Sequence, residues 1–300
     1  MTLVIGTRGS LLARTQSQWI RDQLGIGELK IITTRGDRLV DLPLQSNLEK
    51  GLFTKELEVA LLNGDIDLAV HSLKDLPVQP PDGLVVSSTP IRAPVADLLI
   101  WRRGETIDQP GLRVGSSSAR RIAMLNAYYP EHQAVPLRGN VPTRLEKLER
   151  GDADAIILAE AGIHRLGLEL DAFTVERLNP TQWIPAPGQG ALGLEHRALD
   201  PSTQQLLQQI EHQPTIQAVE LERTILEHFG GGCHAAIGAY AARDAQGWKL
   251  YIGAQHSSGE FRVSCMSLDE PKIDAVSQAI RYFNDHSKRL DKLERTPWSV

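Results

Sequence analysis

The chain is poor in cysteine, in aromatics and in long apolar runs. Two of its 300 residues are cysteine, Cys233 and Cys265, with no CxxC pair and no zinc-ligand spacing. No disulfide framework and no metal site are expected, and a reducing compartment is the simplest setting. No run approaches the roughly 20 apolar residues of a membrane helix, so no membrane association is expected. Met1-Thr-Leu-Val-Ile-Gly-Thr-Arg8 passes straight into a strand-like segment, without the basic stretch, apolar core and cleavage site of a secretory leader. A cytoplasmic protein is expected. The formal net charge is −5 and the pI is near 6.0, so no global positive field draws in nucleic acid. Any anion site must be local.

What is present is a large apolar fraction, 41% of 300 residues, enough for two or three domains. Arginine supplies 23 of the 32 basic residues. Its planar fork grips carboxylates and phosphates two bonds at a time, which lysine does not.

Up to about residue 200, short β-branched runs alternate with helical segments. Leu3–Ile5, Leu29–Thr33 and Asp67–Val70 read as strands. Ser10 suits the N-cap of a helix to Leu24, and Gly64 can stop a helix over Thr54–Asn63. The motif repeats with strands at Asp97–Trp101, Arg113–Gly115, Ala134–Leu137 and Ala155–Ala159, and helices at Ser118–Tyr129 and Pro142–Arg150. Such alternation predicts two α/β units in series, with mostly parallel sheets and a ligand cleft between them. From about residue 213 the pattern becomes helix, three strands and helix, a small α+β domain. The aperiodic, polar stretch Arg38–Lys50 reads as a mobile lid.

Four constellations carry chemistry. Gly115-Ser-Ser-Ser-Ala-Arg120-Arg121 lies at a strand-to-helix junction, where free N–H groups favour an anion. Two cations there oppose the helix dipole and need an anionic partner. Arg138-Gly-Asn-Val-Pro-Thr-Arg144 occupies a similar junction, and Arg8 and Arg165 follow two further strands. Six arginines on one cleft would fit a ligand with many carboxylates, though each alone reads as a surface charge. His71-Ser-Leu-Lys74-Asp75-Leu-Pro77 puts a carboxylate just past a strand. It is either a weak surface ion pair or, among so many cations, an ionised group able to stabilise a positive intermediate. Gly230-Gly-Gly-Cys233-His234 presents a thiol on a flexible backbone, whereas Cys265, in an alternating run, reads as a buried structural cysteine.

These segments resemble the hydroxymethylbilane synthase family over nearly the whole chain. The resemblance is carried by Thr7-Arg8-Gly-Ser10, Thr34-Arg35-Gly36-Asp37, Lys50-Gly-Leu-Phe53-Thr-Lys55-Glu-Leu-Glu58, His71 to Pro77, Gly115 to Arg121, Leu137 to Val141, Ala159 to Gly167, Pro187-Gly-Gln189-Gly190 and Gly231-Gly-Cys233. It implies an α/β fold of two type II periplasmic-binding-protein-like domains flanking a cleft, plus a small α+β C-terminal domain. The domains would be 1–92 with 190–208, 95–184, and 213–300. The resemblance further implies a covalent dipyrromethane cofactor on Cys233, with Asp75 as the catalytic carboxylate and porphobilinogen as the substrate. Arg8, Lys74, Arg120, Arg121, Arg138, Arg144 and Arg165 would bind acetate and propionate groups. Ser10, Gln16, Ser117, Ser118 and Gln189 would line the same cleft, and Lys50, Phe53 and Lys55 would belong to the lid. The implied product is hydroxymethylbilane, built from four porphobilinogen units by a monomeric enzyme.

The sequence departs from the family at three places. Many relatives carry Pro where Ala236 stands, Glu where Gly230 stands and Pro where Leu11 stands. Three other readings compete. A carboxylate sensor on a solute-binding scaffold leaves Asp75 and the glycine-flanked thiol unexplained. A tetrapyrrole-binding relative without turnover differs only in activity. A thiol acyltransferase lacks a visible triad partner, since adjacent Cys233 and His234 tend to point apart.

Overall fold

The computed structural model describes residues 2–34, 54–230, 236–256 and 259–289, and the backbone of 295–297. Lys50, Phe53, Cys233 and the expected lid Arg38–Lys50 lie outside the described residues. The chain forms two compact units, one of Met1–Ala93 with Gly190–Ile216 and the other of Pro94–Gln189 with Gln217–Val300.

The first stretch runs β1 (Val4–Thr7), α1 (Leu11–Leu24), β2 (Glu28–Ile31), α2 (Lys55–Leu62), β3 (Leu68–Ser72), a 3-10 turn at Leu73–Asp75, and β4 (Leu84–Ser88). α1 begins where expected, because Ser10 Oγ accepts the Ala13 N–H at 3.3 Å. It stops at Gly25, whose φ of 67° only glycine takes cheaply. The inserted stretch runs β5 (Asp97–Arg102), β6 (Arg113–Gly115), α3 (Ala119–Tyr128), β7 (Gln133–Val135), α4 (Val141–Glu149), β8 (Ala155–Ala159), α5 (Glu160–Leu166) and β9 (Phe173–Leu178). Asn140 Oδ1 caps α4 through the Thr143 N–H at 2.9 Å, with proline in the first turn. The return stretch adds β10 (Leu192–Arg197), α6 (Pro201–Leu207) and α7 (Gln213–His228). The C-terminal part is β11 (Ile237–Asp244), β12 (Gly247–Gln255), β13 (Phe261–Leu268), α8 (Asp274–His286) and β14 (Arg295–Pro297).

The first unit has one sheet of order β2-β1-β3-β10-β4. Its faces bury Ile5, Ile20, Val70 and Leu194 against α1, and Leu57, Leu61 and Ile66 around α2. The second unit has a six-stranded sheet, β14-β9-β5-β8-β6-β7, and a three-stranded one, β11-β12-β13. One face of the larger sheet buries Leu98, Ile156 and Leu158 with Leu145 and Leu148 of α4. The other joins Leu99, Met124 and Trp183 to Phe261 and Val263 of the three-stranded sheet. That small sheet covers its remaining face with α7 and α8 through Leu221, Ile225, Ile280 and Phe283. Each such apolar side chain contributes about 1.5–3 kcal/mol when buried.

The expected mostly parallel sheets are corrected to mixed ones. β1 pairs parallel with β2 and β3, but β10 pairs antiparallel with both β3 and β4. β6 pairs parallel with β7 and β8, while β5 runs antiparallel to β8 and β9. β10 is reached only after the whole inserted stretch, so no local helical crossover sets its direction. Cys265 is also corrected: it is exposed on β13, on the same strand face as buried Phe261 and Val263 but toward the end where Ser267 is exposed too.

Asp200, the N-cap of α6, accepts hydrogen bonds from Thr203 N at 3.1 Å, Ser202 Oγ at 2.7 Å and Arg197 at 3.0 Å. Partial burial pushes its pKa up, but these bonds and the Arg197 charge outweigh burial and bring it from 3.8 to about 2. A folded value below the unfolded one means stability that is present above about pH 4 and is lost as pH falls toward 2. Thermal melts of Asp200→Asn should therefore show a shallower fall in Tm between pH 4 and pH 2 than the parent. An unchanged slope would rule this out.

Candidate active site

In the first unit the chemistry gathers at the C-terminal ends of two neighbouring parallel strands. Arg8 follows β1, and the turn Leu73–Asp75 follows β3. Lys74 is half-buried and Asp75 is exposed. The turn closes through Leu76 N–H to Leu73 O at 3.1 Å, and Leu73 N–H is held by Ala191 O at 3.0 Å. Buried Gln16 donates through Nε2 to Ser72 Oγ at 2.9 Å, fixing the strand end from the α1 side. Ser10 is occupied as the α1 cap, and Lys55 is exposed in the first turn of α2.

In the second unit a comparable edge is formed by β8, β6 and β7, parallel neighbours in that order. Ser117 and Ser118 follow β6, Arg138 follows β7, and Arg165 lies on α5 after β8. Ser117 Oγ donates to Leu137 O at 3.1 Å and so ties the first two loops. Arg144 Nε donates to Gly139 O at 2.8 Å, and Lys147 Nζ to Arg138 O at 3.0 Å. The three guanidiniums of Arg138, Arg144 and Arg165 are half-buried. Burial lowers the pKa of Arg165 to about 10, so it stays charged at neutral pH. A pocket of about 350 Å³ beside Trp101, Arg102 and Asp154 lies at the opposite edge, where β8 begins.

Arg120, Arg121 and Gln189 are not open to solvent. Arg120 is 3% and Arg121 6% exposed, and Gln189 is fully buried. All three converge on Asp97, a buried residue that the sequence reading passed over. Because β5 is antiparallel to β8, its first residue Asp97 pairs with Ala159 and so falls on this edge. Asp97 accepts from Arg120 Nη2 at 2.8 Å, Arg121 Nη2 at 2.6 Å, Trp183 Nε1 at 3.0 Å and Gln189 Nε2 at 2.9 Å. The anionic partner that two cations at a helix start require is thus supplied from within the chain. The polar ends of these three side chains are turned inward toward a buried carboxylate. Two guanidiniums against one carboxylate leave an excess positive charge among these three side chains. Burial, together with repulsion from Arg121, lowers the Arg120 pKa despite Asp97. Buried Arg120 Nε has no acceptor among the described residues. A carboxylated ligand would supply both the missing charge and the missing acceptor, so this donor set fits an anionic organic group.

These basic side chains gather at strand ends of an α/β protein. Residues 3–205 match the family described as porphobilinogen deaminase, dipyromethane cofactor binding domain, and residues 216–260 match the porphobilinogen deaminase C-terminal domain. The chain belongs to the porphobilinogen deaminase family. The porphobilinogen deaminase of Desulforudis audaxviator is 46% identical over 245 residues, covering 79% of each chain. That of Bacillus mycoides is 40% identical over 299 residues, covering 96% of each. Among solved structures, YhfZ of Shigella flexneri gives a TM-score of 0.37 at 19% identity, over 76% of this chain and 90% of that one. No helix among the described residues is long and apolar enough to cross a membrane.

Proposed function

We propose that the chain is the transferase that deaminates four porphobilinogen molecules and joins them head to tail on its primer, after which water cleaves the bond to the primer and adds the hydroxyl, releasing hydroxymethylbilane, with one ammonia lost per unit. What supports this reading most is the pairing of an exposed carboxylate, Asp75, with a family match spanning both units. In each condensation the aminomethyl C–N bond breaks and ammonia leaves. The methylene then bonds to a free pyrrole α-carbon, which loses its proton. Asp75 accepts the pyrrole N–H of the reacting unit and stabilises the cation formed as ammonia departs. Arg8, Lys74, Arg138, Arg144 and Arg165 hold acetate and propionate groups, with the charges of Arg120 and Arg121 set behind them against Asp97. Ser10, Gln16, Ser117, Ser118 and Gln189 orient these groups, Gln189 through Asp97.

A dipyrromethane joined to Cys233 supplies the first nucleophilic α-carbon and an anchor. Tethering keeps each condensation effectively intramolecular. The protein is cytoplasmic and monomeric, with no nucleic-acid partner and no metal. Its proposed division is three domains, 1–92 with 190–208, 95–184, and 213–300, each centred on one of the three sheets among the described residues, with β14 of the last pairing onto the sheet of the second.

Intact mass spectrometry with peptide mapping tests the anchor. Incubation with porphobilinogen should add two condensed units to the Cys233 peptide. Cys233→Ser should retain no thioether-linked primer, and Cys265→Ser should load like the parent. Loading on Cys265 instead would overturn the assignment.

A further inference from the structure

The sheet under Asp75 contains a buried acid–base pair that the reaction does not use. His71, 6% exposed, sits on β3 with Nε2 3.1 Å from Oε2 of Glu195, 1% exposed, on β10. Antiparallel register puts His71 opposite Gly193, with Glu195 two residues further along the same face. A Cβ on Gly193 would lie 2.8 Å from Leu76 and 3.0 Å from Leu73, so the turn's two apolar side chains rest on this bare strand surface. The pair, the two leucines and the roof of α2 therefore share one face of the sheet. Glu58 of α2 lies close enough for its pKa to be raised, first by burial and then by Glu195, while Thr54, His71 and Lys55 lower it. On the opposite face Gln16 holds Ser72.

A 3-10 turn of three residues is a soft element, and a buried pair of polar groups locks the strand that feeds it more tightly than apolar contact can. We propose that His71 and Glu195 are positioning residues that fix the end of β3 and thereby the direction in which Asp75 is presented. The proposal rests on the reading of Asp75 as the catalytic carboxylate.

The test uses His71→Gln, whose amide is polar but does not place a donor where the ring Nε2 lies, together with Glu195→Gln, each alone and combined with Asp75→Asn. Both single variants should load primer fully by intact mass and lose about tenfold or more in kcat, with KM within about twofold. Hydrogen exchange at the Leu73 and Leu76 amides should quicken in both. The double variants should be no slower than Asp75→Asn alone, because the pair acts through that carboxylate. Multiplying losses, or a raised KM with unchanged kcat, would overturn the positioning role while leaving Asp75 in place. A fully active Asp75→Asn would overturn both readings. If His71→Gln does not fold, Glu195→Gln decides by the same measurements.

Discussion

Asp75→Ala is expected to fold, to carry its primer, and to turn porphobilinogen over about a thousandfold more slowly. The reason lies in the separation of the side chain from the scaffold. Asp75 is exposed, whereas the turn beneath it is held by backbone bonds from Leu73 and Leu76 and by the buried Leu73 and Leu76 side chains. Removing a solvated carboxylate leaves no cavity and no stranded partner, so Tm should stay within about 2 °C. The lost charge acts only when the pyrrole becomes cationic, so kcat should fall and KM should hold. Steady-state rates, melting curves and intact mass on one preparation check all three parts. A rate within tenfold of the parent would remove Asp75 from the chemistry.

Asp97→Asn should produce the largest loss of stability. The substitution keeps the shape of the side chain but strips the charge from a site where two buried guanidiniums meet. Breaking a buried ion pair by removing one partner costs about 3–5 kcal/mol, since the remaining charge stays desolvated. For a unit of this size that lowers Tm by about 10 °C. Adding Arg121→Gln should recover part of the loss, because one of the stranded charges is then gone. A melting temperature unchanged in Asp97→Asn would show that the guanidiniums find another partner at no cost. Binding of primer should also change, since Gln189 and Arg120 lose the group that sets their direction.

Local signals in the sequence were legible where a backbone requirement leaves a chemical mark. Ser10 and Asn140 cap helices with their own oxygens, and Gly25 and Gly151 take positive φ at helix ends. The strands that precede Asp75, Ser117 and Arg165 are legible from their β-branched runs, so the position of those residues past the strand ends follows. Long-range pairing was not legible. β10 reads Leu-Gly-Leu-Glu-His-Arg and lacks an apolar run, yet Glu195 and His196 are buried because His71 and Ser87 reach them from neighbouring strands. Asp97 opens the apolar run Asp-Leu-Leu-Ile-Trp and looks like an ordinary strand start. The available clue was Arg120-Arg121 in a first helical turn with no acid beside them, which required an anion from elsewhere.

The interior strand β10 has a consequence for how the protein is made. Its neighbours β3 and β4 leave the ribosome first, but the sheet stays open between them until residues 192–197 have been synthesised. By then β5 to β9 are all complete. The nascent chain can therefore pair β5 to β9 before its N-terminal sheet closes, so part of a later-made sheet can form ahead of an earlier-made one. During that interval the facing edges of β3 and β4 are unpaired, a template for pairing with another chain.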